Sequence, residues 1–138
     1  VRAGHTEEPV LYLTFDDGPI PGVTPWVLEQ LEKYQAKATF FCVGENVRRN
    51  PQLVEDILAA GHSVGNHTMR HLDGWATENL PYFHDIRHCS KQINSSLFVH
   101  LTVGSSRARR NFCNATTISL CGTCSVETST LTSVRKTV

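Results

Sequence analysis

The sequence P-V-L-Y-L-T-F-D-D-G-P occupies residues 9–19 and joins a short apolar run to a polar turn. Its first seven residues are rich in β-forming side chains, which predicts a buried strand over 9–15. The Asp-Asp-Gly-Pro that follows is typical of a turn. A strand that ends in this way places Asp16 and Asp17 at the edge where α/β proteins collect catalytic groups. Taken alone, the same four residues also describe an ordinary loop.

Buried-type strands alternate with helices over the next 80 or so residues. The runs at 38–43 and 63–65 predict a second and a third strand. Residues typical of helix N-caps precede the helical patterns, namely Thr24, Asn50 and Thr77. The order β-α-β-α-β-α predicts an α/β fold built on a parallel sheet or barrel. The pattern stops near residue 98, after about three units, which is fewer than a closed barrel needs.

Two histidines lie four residues apart directly after the third predicted strand, at His67 and His71. In a helical turn these positions face the same way, so both rings can reach one ion. Two imidazoles and one carboxylate, with positions left for water and substrate, form a common site for zinc and related divalent metals. A lone H-x-x-x-H occurs on many solvated helices. Its combination with Asp16 and Asp17 about 50 residues upstream favours a metal site.

T-F-D-D-G-P at residues 14–19 and H-T-M-R-H at 67–71 resemble the first two motifs of the polysaccharide deacetylase (NodB-homology) family. The intervening A-T-F-F-C-V-G at 38–44 and A-A-G-H-S-V-G-N-H at 59–67 are also similar to that family. The resemblance covers about residues 9–98. It implies a partial (β/α) barrel, corresponding to roughly the N-terminal half of the catalytic domain.

The same resemblance implies a chemistry for the four singled-out residues. The family's activity is the metal-dependent hydrolysis of N-acetyl or O-acetyl groups on an acetylated sugar polymer or oligomer. Asp16 corresponds to the general base. The metal ligands correspond to Asp17, His67 and His71, with zinc expected as the divalent metal. The residue that protonates the leaving amine belongs to a later motif of the family.

Composition changes near residue 98. Residues 1–98 carry 8 basic and 12 acidic side chains, whereas residues 99–138 carry 5 basic and 1 acidic side chain.

A change of reading frame would explain this difference. Where the family continues with R-P-P-Y-G, residues 99–104 are V-H-L-T-V-G. One inserted C ahead of suitably chosen codons regroups these residues as R-P-P-Y-G-R, and the same shift turns 118–125 into D-I-V-M-W-D-V-L. The hypothesis is that residues 1–98 are native and that 99–138 form a non-native or disordered tail, translated out of frame. Activity of this chain is then expected to be impaired.

Several classes of function are disfavoured by composition. Thirteen basic and 13 acidic residues give no general attraction to nucleic acid or anionic membranes. No run approaches the roughly 20 apolar residues that a membrane span needs, and the first residues do not form a signal segment. Neither the compartment nor the oligomeric state is determined by the sequence.

The alternative function is a non-catalytic metal- or glycan-binding remnant, or simply a gene fragment. A third interpretation, a zinc or redox module, depends on Cys121 and Cys124, which lack the second pair that a zinc site needs. The remaining residues of interest have plainer expected roles. Cys42 and Cys89 are predicted to be small core residues and His62 a structural one, while Trp26 and Trp75 are candidates for core or rim packing, or for sugar stacking.

Overall fold

The computed structural model of the 138-residue chain describes residues 12–74, 76–95, 97–98 and 118–119, the last two pairs as backbone only. The predictions about the tail, the Cys121–Cys124 pair and Trp75 therefore lie outside the described residues, apart from the backbone of 118–119.

One parallel sheet organises the fold. Its strands are β1 Leu13–Gly18, β2 Ala38–Cys42, β3 Ser63–Asn66, β4 Leu97–Phe98 and β5 Ile118–Ser119. The helices are α1 Val23–Lys33, α2 Gly44–Arg49, α3 Pro51–Ala59 and α4 Asn79–Ile93. The strands lie side by side in chain order, and every pair is parallel. Sequential parallel strands with helices between them are the arrangement of a (β/α) barrel segment, so the predicted fold class is confirmed. None of the helices described here is long and apolar enough to cross a bilayer.

The central strand β2 explains why the sheet forms where it does. All five of its residues are buried, which accounts for the unbroken apolar run in the sequence. Phe40 stacks on Phe15 of β1 with ring centroids 5.2 Å apart. Cys42 and Cys89 are fully buried, as predicted for small core residues. Burial raises the pKa of each thiol to about 12.

Two predicted helix starts are wrong by one or two residues. Thr24 lies inside α1, and its buried hydroxyl accepts a hydrogen bond from the Ile20 N–H at 2.8 Å. It therefore closes the turn before the helix instead of capping the helix. Asn50 does occupy the N-cap of α3, as predicted, whereas α4 is capped by Glu78 and not by Thr77.

His62 has the structural role expected of it. The ring is buried, and its Nδ1 accepts a hydrogen bond from the Ala38 N–H at 3.3 Å, which links the start of β2 to the residue before β3. Burial lowers the pKa of this imidazole, and the nearby Lys37 charge lowers it further. A neutral ring is what this hydrogen bond requires, because a protonated imidazole has no acceptor.

An apolar groove runs along the outer edge of the described sheet, between β1 and α1. Its volume is about 280 Å³. Among its lining residues are Leu13, Phe15, Trp26 and Tyr34. Trp26 is 60% exposed and Tyr34 72% exposed, so Trp26 lies at a rim and not in the core.

Candidate metal centre

β1 ends in a bulge that carries both aspartates. Phe15 pairs with Phe40 and the next pairing joins Gly18 to Cys42, so three steps along β1 oppose two along β2. A bulge of this kind bends a strand and re-aims its side chains. Asp17 has a φ of 69°, and its carbonyl accepts a hydrogen bond from Asn46 Nδ2 at 2.9 Å. Both carboxylates consequently lie at the exposed end of the strand.

The histidines lie on an irregular segment after β3, residues 67–71, called here the imidazole loop. Its backbone is not the helical turn that the spacing predicted, because Thr68 and His71 have φ values of 65° and 57°. The Asn66 side chain favours this path by accepting the Thr68 N–H at 2.8 Å. The two imidazoles nevertheless converge, with ring centroids 5.2 Å apart in an edge-to-face arrangement.

The two imidazoles meet the carboxylate of Asp17 at a single oxygen. Asp17 Oδ1 lies 3.2 Å from His67 Nε2 and 2.8 Å from His71 Nε2. Ligands placed about 2.1 Å from a tetrahedral zinc ion lie about 3.4 Å apart, so this spacing suits one shared ion. The His67 side chain is 4% exposed, but Asp17 and His71 are 61% and 49% exposed. The group is therefore buried on the side of His67 and open to solvent on the side of Asp17 and His71.

The donor set also suits a divalent metal chemically. Within the part of the chain that the structure describes, Nδ1 of His67 is buried and has no hydrogen-bond partner. Nε2 is the nitrogen that lies next to Asp17, so a metal bound there would use the Nε2 lone pair and leave the ring proton on Nδ1. Burial lowers the pKa of His67, while the charges of Asp16 and Asp17 oppose that shift. Neutral imidazole is the form that binds metal.

Asp16 lies beside this group and is not part of it. Among the residues that the structure describes, Asp17, His67 and His71 form the group whose ligand atoms lie close enough to share an ion. Although Asp16 reaches the surface, desolvation around its carboxyl raises its pKa, the His67 charge lowers it, and the Asp17 charge raises it. Asp16 is thus close enough to interact electrostatically with both neighbours.

Two further residues that support the site were not identified from the sequence, Asn66 and Asp85. Asn66 is fully buried and donates its side-chain amide to the Ile86 carbonyl and to Ser90 Oγ, each at 2.8 Å. The Asp85 carboxylate is buried against the imidazole loop. The signal was available in the helical pattern, since Asp85 falls on the apolar face of α4 at the spacing of Tyr82 and Cys89. A carboxylate on a buried face requires partners.

Comparison with known proteins identifies the family of the chain. The family profile described as polysaccharide deacetylase matches residues 3–119, a range that crosses the composition change at residue 98. A peptidoglycan-N-acetylglucosamine deacetylase of Bacillus cereus is 55% identical over 65 residues, which cover 47% of this chain and 30% of that protein. A chitooligosaccharide deacetylase of Sinorhizobium fredii is 50% identical over 72 residues, covering 52% of this chain and 33% of that protein.

Solved structures show the same fold. The crystal structure of the Bc1960 peptidoglycan N-acetylglucosamine deacetylase superposes with a TM-score of 0.74 at 28% identity, covering 78% of this chain and 54% of that one. A family 4 acetyl xylan esterase from Clostridium thermocellum, solved with a cobalt ion, gives a TM-score of 0.63 at 30% identity, covering 72% of this chain and 52% of that one. The chain thus spans about a third of the two curated relatives and about half of each solved chain.

Proposed function

Because the chain belongs to the polysaccharide deacetylase family, we propose that it supplies the metal-binding part of an enzyme that hydrolyses acetyl groups on a carbohydrate. In this proposal Asp17, His67 and His71 hold a divalent metal, with zinc as the expected ion. The observation that carries the proposal is the convergence of two imidazole Nε2 atoms on one oxygen of Asp17, at 3.2 and 2.8 Å.

The chemistry follows from the residues at the end of β1. A divalent cation at such a site lowers the pKa of a water molecule and polarises an acetyl carbonyl. Asp16 would then take the proton of the attacking water as the general base. The water oxygen adds to the acetyl carbon to give a tetrahedral intermediate, whose collapse breaks the bond from that carbon to the sugar nitrogen. The nitrogen takes a proton from a general acid, the role that the family resemblance gives to a residue of a later motif, so that the products are the free amine and acetate. In an O-acetyl substrate the bond to the sugar oxygen breaks instead.

The substrate is proposed to be an acetylated sugar polymer or oligomer. Two of the curated relatives are named as deacetylases of peptidoglycan N-acetylglucosamine and of chitooligosaccharides. The exposure of Asp17 and His71 supports the same class, because a long glycan must approach its site from solvent. Acetylated amino sugars are therefore the first substrates to test.

The test separates metal binding from turnover. The full chain is titrated with Zn²⁺ and Co²⁺, and acetate release from an acetylated chito-oligosaccharide is measured. Asp16→Asn is expected to keep the metal and lose turnover, whereas His67→Ala is expected to lose both. His84→Ala, at an exposed histidine of α4, is the control and should keep both metal binding and turnover.

Undiminished metal binding by His67→Ala would refute the assignment of His67 as a ligand, and undiminished turnover by Asp16→Asn would refute the assignment of Asp16 as the base. Metal binding without any turnover in the unmutated chain would favour the non-catalytic remnant.

We also propose that residues 99–138 are translated out of frame. The support is the composition change and the family-like sequence recovered by one inserted base. Turnover by the present chain is then expected to be weak, and insertion of one C ahead of codon 99 should raise it at least tenfold. Strong turnover without the insertion would contradict this proposal and leave the metal assignment untouched.

A further inference from the structure

Asp85 of α4 is a buried carboxylate that contacts the backbone of the imidazole loop. Its side chain is 2% exposed. Oδ2 accepts hydrogen bonds from the Met69 N–H at 2.7 Å and the Arg70 N–H at 3.0 Å. Oδ1 accepts a third from Arg70 Nε at 2.7 Å. Three donors thus compensate the burial of one charge, and charged acceptors form shorter and stronger hydrogen bonds than neutral ones.

The opposite side of the loop is held by the first residues of α2. The Gly44 N–H donates to the Thr68 carbonyl at 3.0 Å, and the Glu45 N–H donates to the Met69 carbonyl at 2.9 Å. Met69 is therefore fixed through its N–H by Asp85 and through its carbonyl by Glu45. The middle of the imidazole loop is clamped between two helices, one on each side.

This clamp lies between the two histidines. Met69 and Arg70 are the residues whose amides Asp85 accepts, and they separate the left-handed residues Thr68 and His71. Left-handed backbone at non-glycine residues persists only where the surroundings hold it in place. Without the carboxylate, two amides of the loop lose their acceptor, and the loop can relax toward more common φ values.

We propose that Asp85 is a positioning residue for the metal site, and that it sets the separation and angle at which His67 and His71 present Nε2 to one cation. The inference rests on the proposed metal centre and adds to it a group that does not touch the ion. Groups that orient metal ligands in this way typically contribute 10- to 100-fold to metal affinity. The clamp acts through the backbone between the ligands, so its loss should weaken binding without removing any ligand atom.

The experiment measures the affinity of the full chain for Co²⁺, together with the visible absorption of the bound ion, which reports its coordination geometry. Asp85→Leu replaces the carboxylate with an apolar side chain of similar size, and should weaken Co²⁺ binding at least tenfold and alter the absorption. Asp85→Asn keeps one oxygen that can accept both loop amides, so it should recover part of the lost affinity. Arg87→Gln changes an exposed residue of the same helix and should bind Co²⁺ within about threefold of the unmutated chain.

A control separates positioning from general loss of stability. Ile93→Val trims a buried residue of the same helix, eight positions after Asp85, and it should lower the free energy of unfolding without changing Co²⁺ affinity or absorption. If Asp85→Leu fails to fold, Asp85→Asn decides alone. Affinity and absorption equal to those of the unmutated chain in the folded Asp85 variants would overturn the inference and leave the metal centre standing. Failure of the unmutated chain to bind Co²⁺ would overturn both.

Discussion

Replacement of Gly44 by alanine should displace the imidazole loop from the side opposite Asp85. A Cβ at residue 44 would lie 2.4 Å from Met69 Sδ, 3.1 Å from Met69 Cα and 3.2 Å from Cys89 Sγ. The thioether end of Met69 can rotate away, but Met69 Cα belongs to the loop backbone. A return to ordinary contact therefore needs a shift of the loop by a few tenths of an ångström.

The energetic cost combines two opposing effects. Overpacking in a well-packed site costs about 1–3 kcal/mol. Alanine at the first position of α2 recovers about 0.5–1 kcal/mol, because glycine loses more conformational freedom than alanine when a helix forms. We therefore expect Gly44→Ala to lower the free energy of unfolding by about 1–2 kcal/mol. Because the shift moves the peptide units between His67 and His71, Co²⁺ affinity should fall about tenfold as well.

The assay compares Gly44→Ala with Gly22→Ala, using urea denaturation for stability and Co²⁺ titration for affinity. Gly22 has a φ of 80° with no atom within 4 Å of a new Cβ, so alanine there meets backbone strain without a clash. That strain costs about 1–2 kcal/mol, which matches the expected loss at Gly44. Gly22→Ala should lose stability alone, while Gly44→Ala should lose both stability and affinity. Equal Co²⁺ affinities in the two variants would refute the argument that packing against α2 sets the loop.

Three further outcomes are expected. Burial lowers the pKa of His62, so the unfolded chain takes up a proton before the folded one as the pH falls below about 6.5. The free energy of unfolding should therefore decline on acidification in that range. His62→Gln still offers an acceptor to the Ala38 N–H, but it should lack the part of this decline that comes from His62, which a series of urea denaturations at different pH values would measure. Cys42 and Cys89 should not react with a thiol reagent at neutral pH until denaturant is added, because both are buried with a pKa of about 12; rapid reaction of the folded chain would contradict their placement. If the unmutated chain self-associates in sedimentation experiments, Trp26→Gln should reduce that association, since Trp26 is 60% exposed on an apolar groove; an unchanged distribution would rule out the groove as its cause.

The first three strands were predicted well from the sequence, because strands buried on both faces appear as continuous runs of apolar residues. β2 is buried along its whole length and therefore appears as a continuous apolar run, and Pro51 marks the first position of α3. Helix α2 was not predicted, because its six residues G-E-N-V-R-R show no apolar periodicity. It forms because the carbonyls of Thr68 and Met69 receive its first amides, and such tertiary partners leave no trace in local sequence.

The convergence of the two histidines was predicted more accurately than the backbone that presents them. A spacing of four residues suggested a helical turn, and the prediction that both histidines face one point is confirmed although the turn is not helical. Adjacent aspartates would point to opposite faces of a regular strand, and only the bulge after Phe15 allows both to lie at its exposed end. Residue types reveal the chemistry, whereas backbone irregularity has to be seen in three dimensions.

These irregularities share a physical feature that connects the site to the rest of the fold. Asp17, Thr68 and His71 all have positive φ, at 69°, 65° and 57°. Each such residue costs of order 1–3 kcal/mol, so the surrounding structure must compensate for it. The compensation is local and visible, since Asn46 donates to the Asp17 carbonyl and Asn66 accepts the Thr68 amide. In the proposed metal centre, ligands held in this way would lose little freedom when an ion binds, because the fold has already fixed them. Asn46, Asn66 and Asp85 are therefore proposed to support the metal site, although none of them is among the three residues proposed to hold the ion.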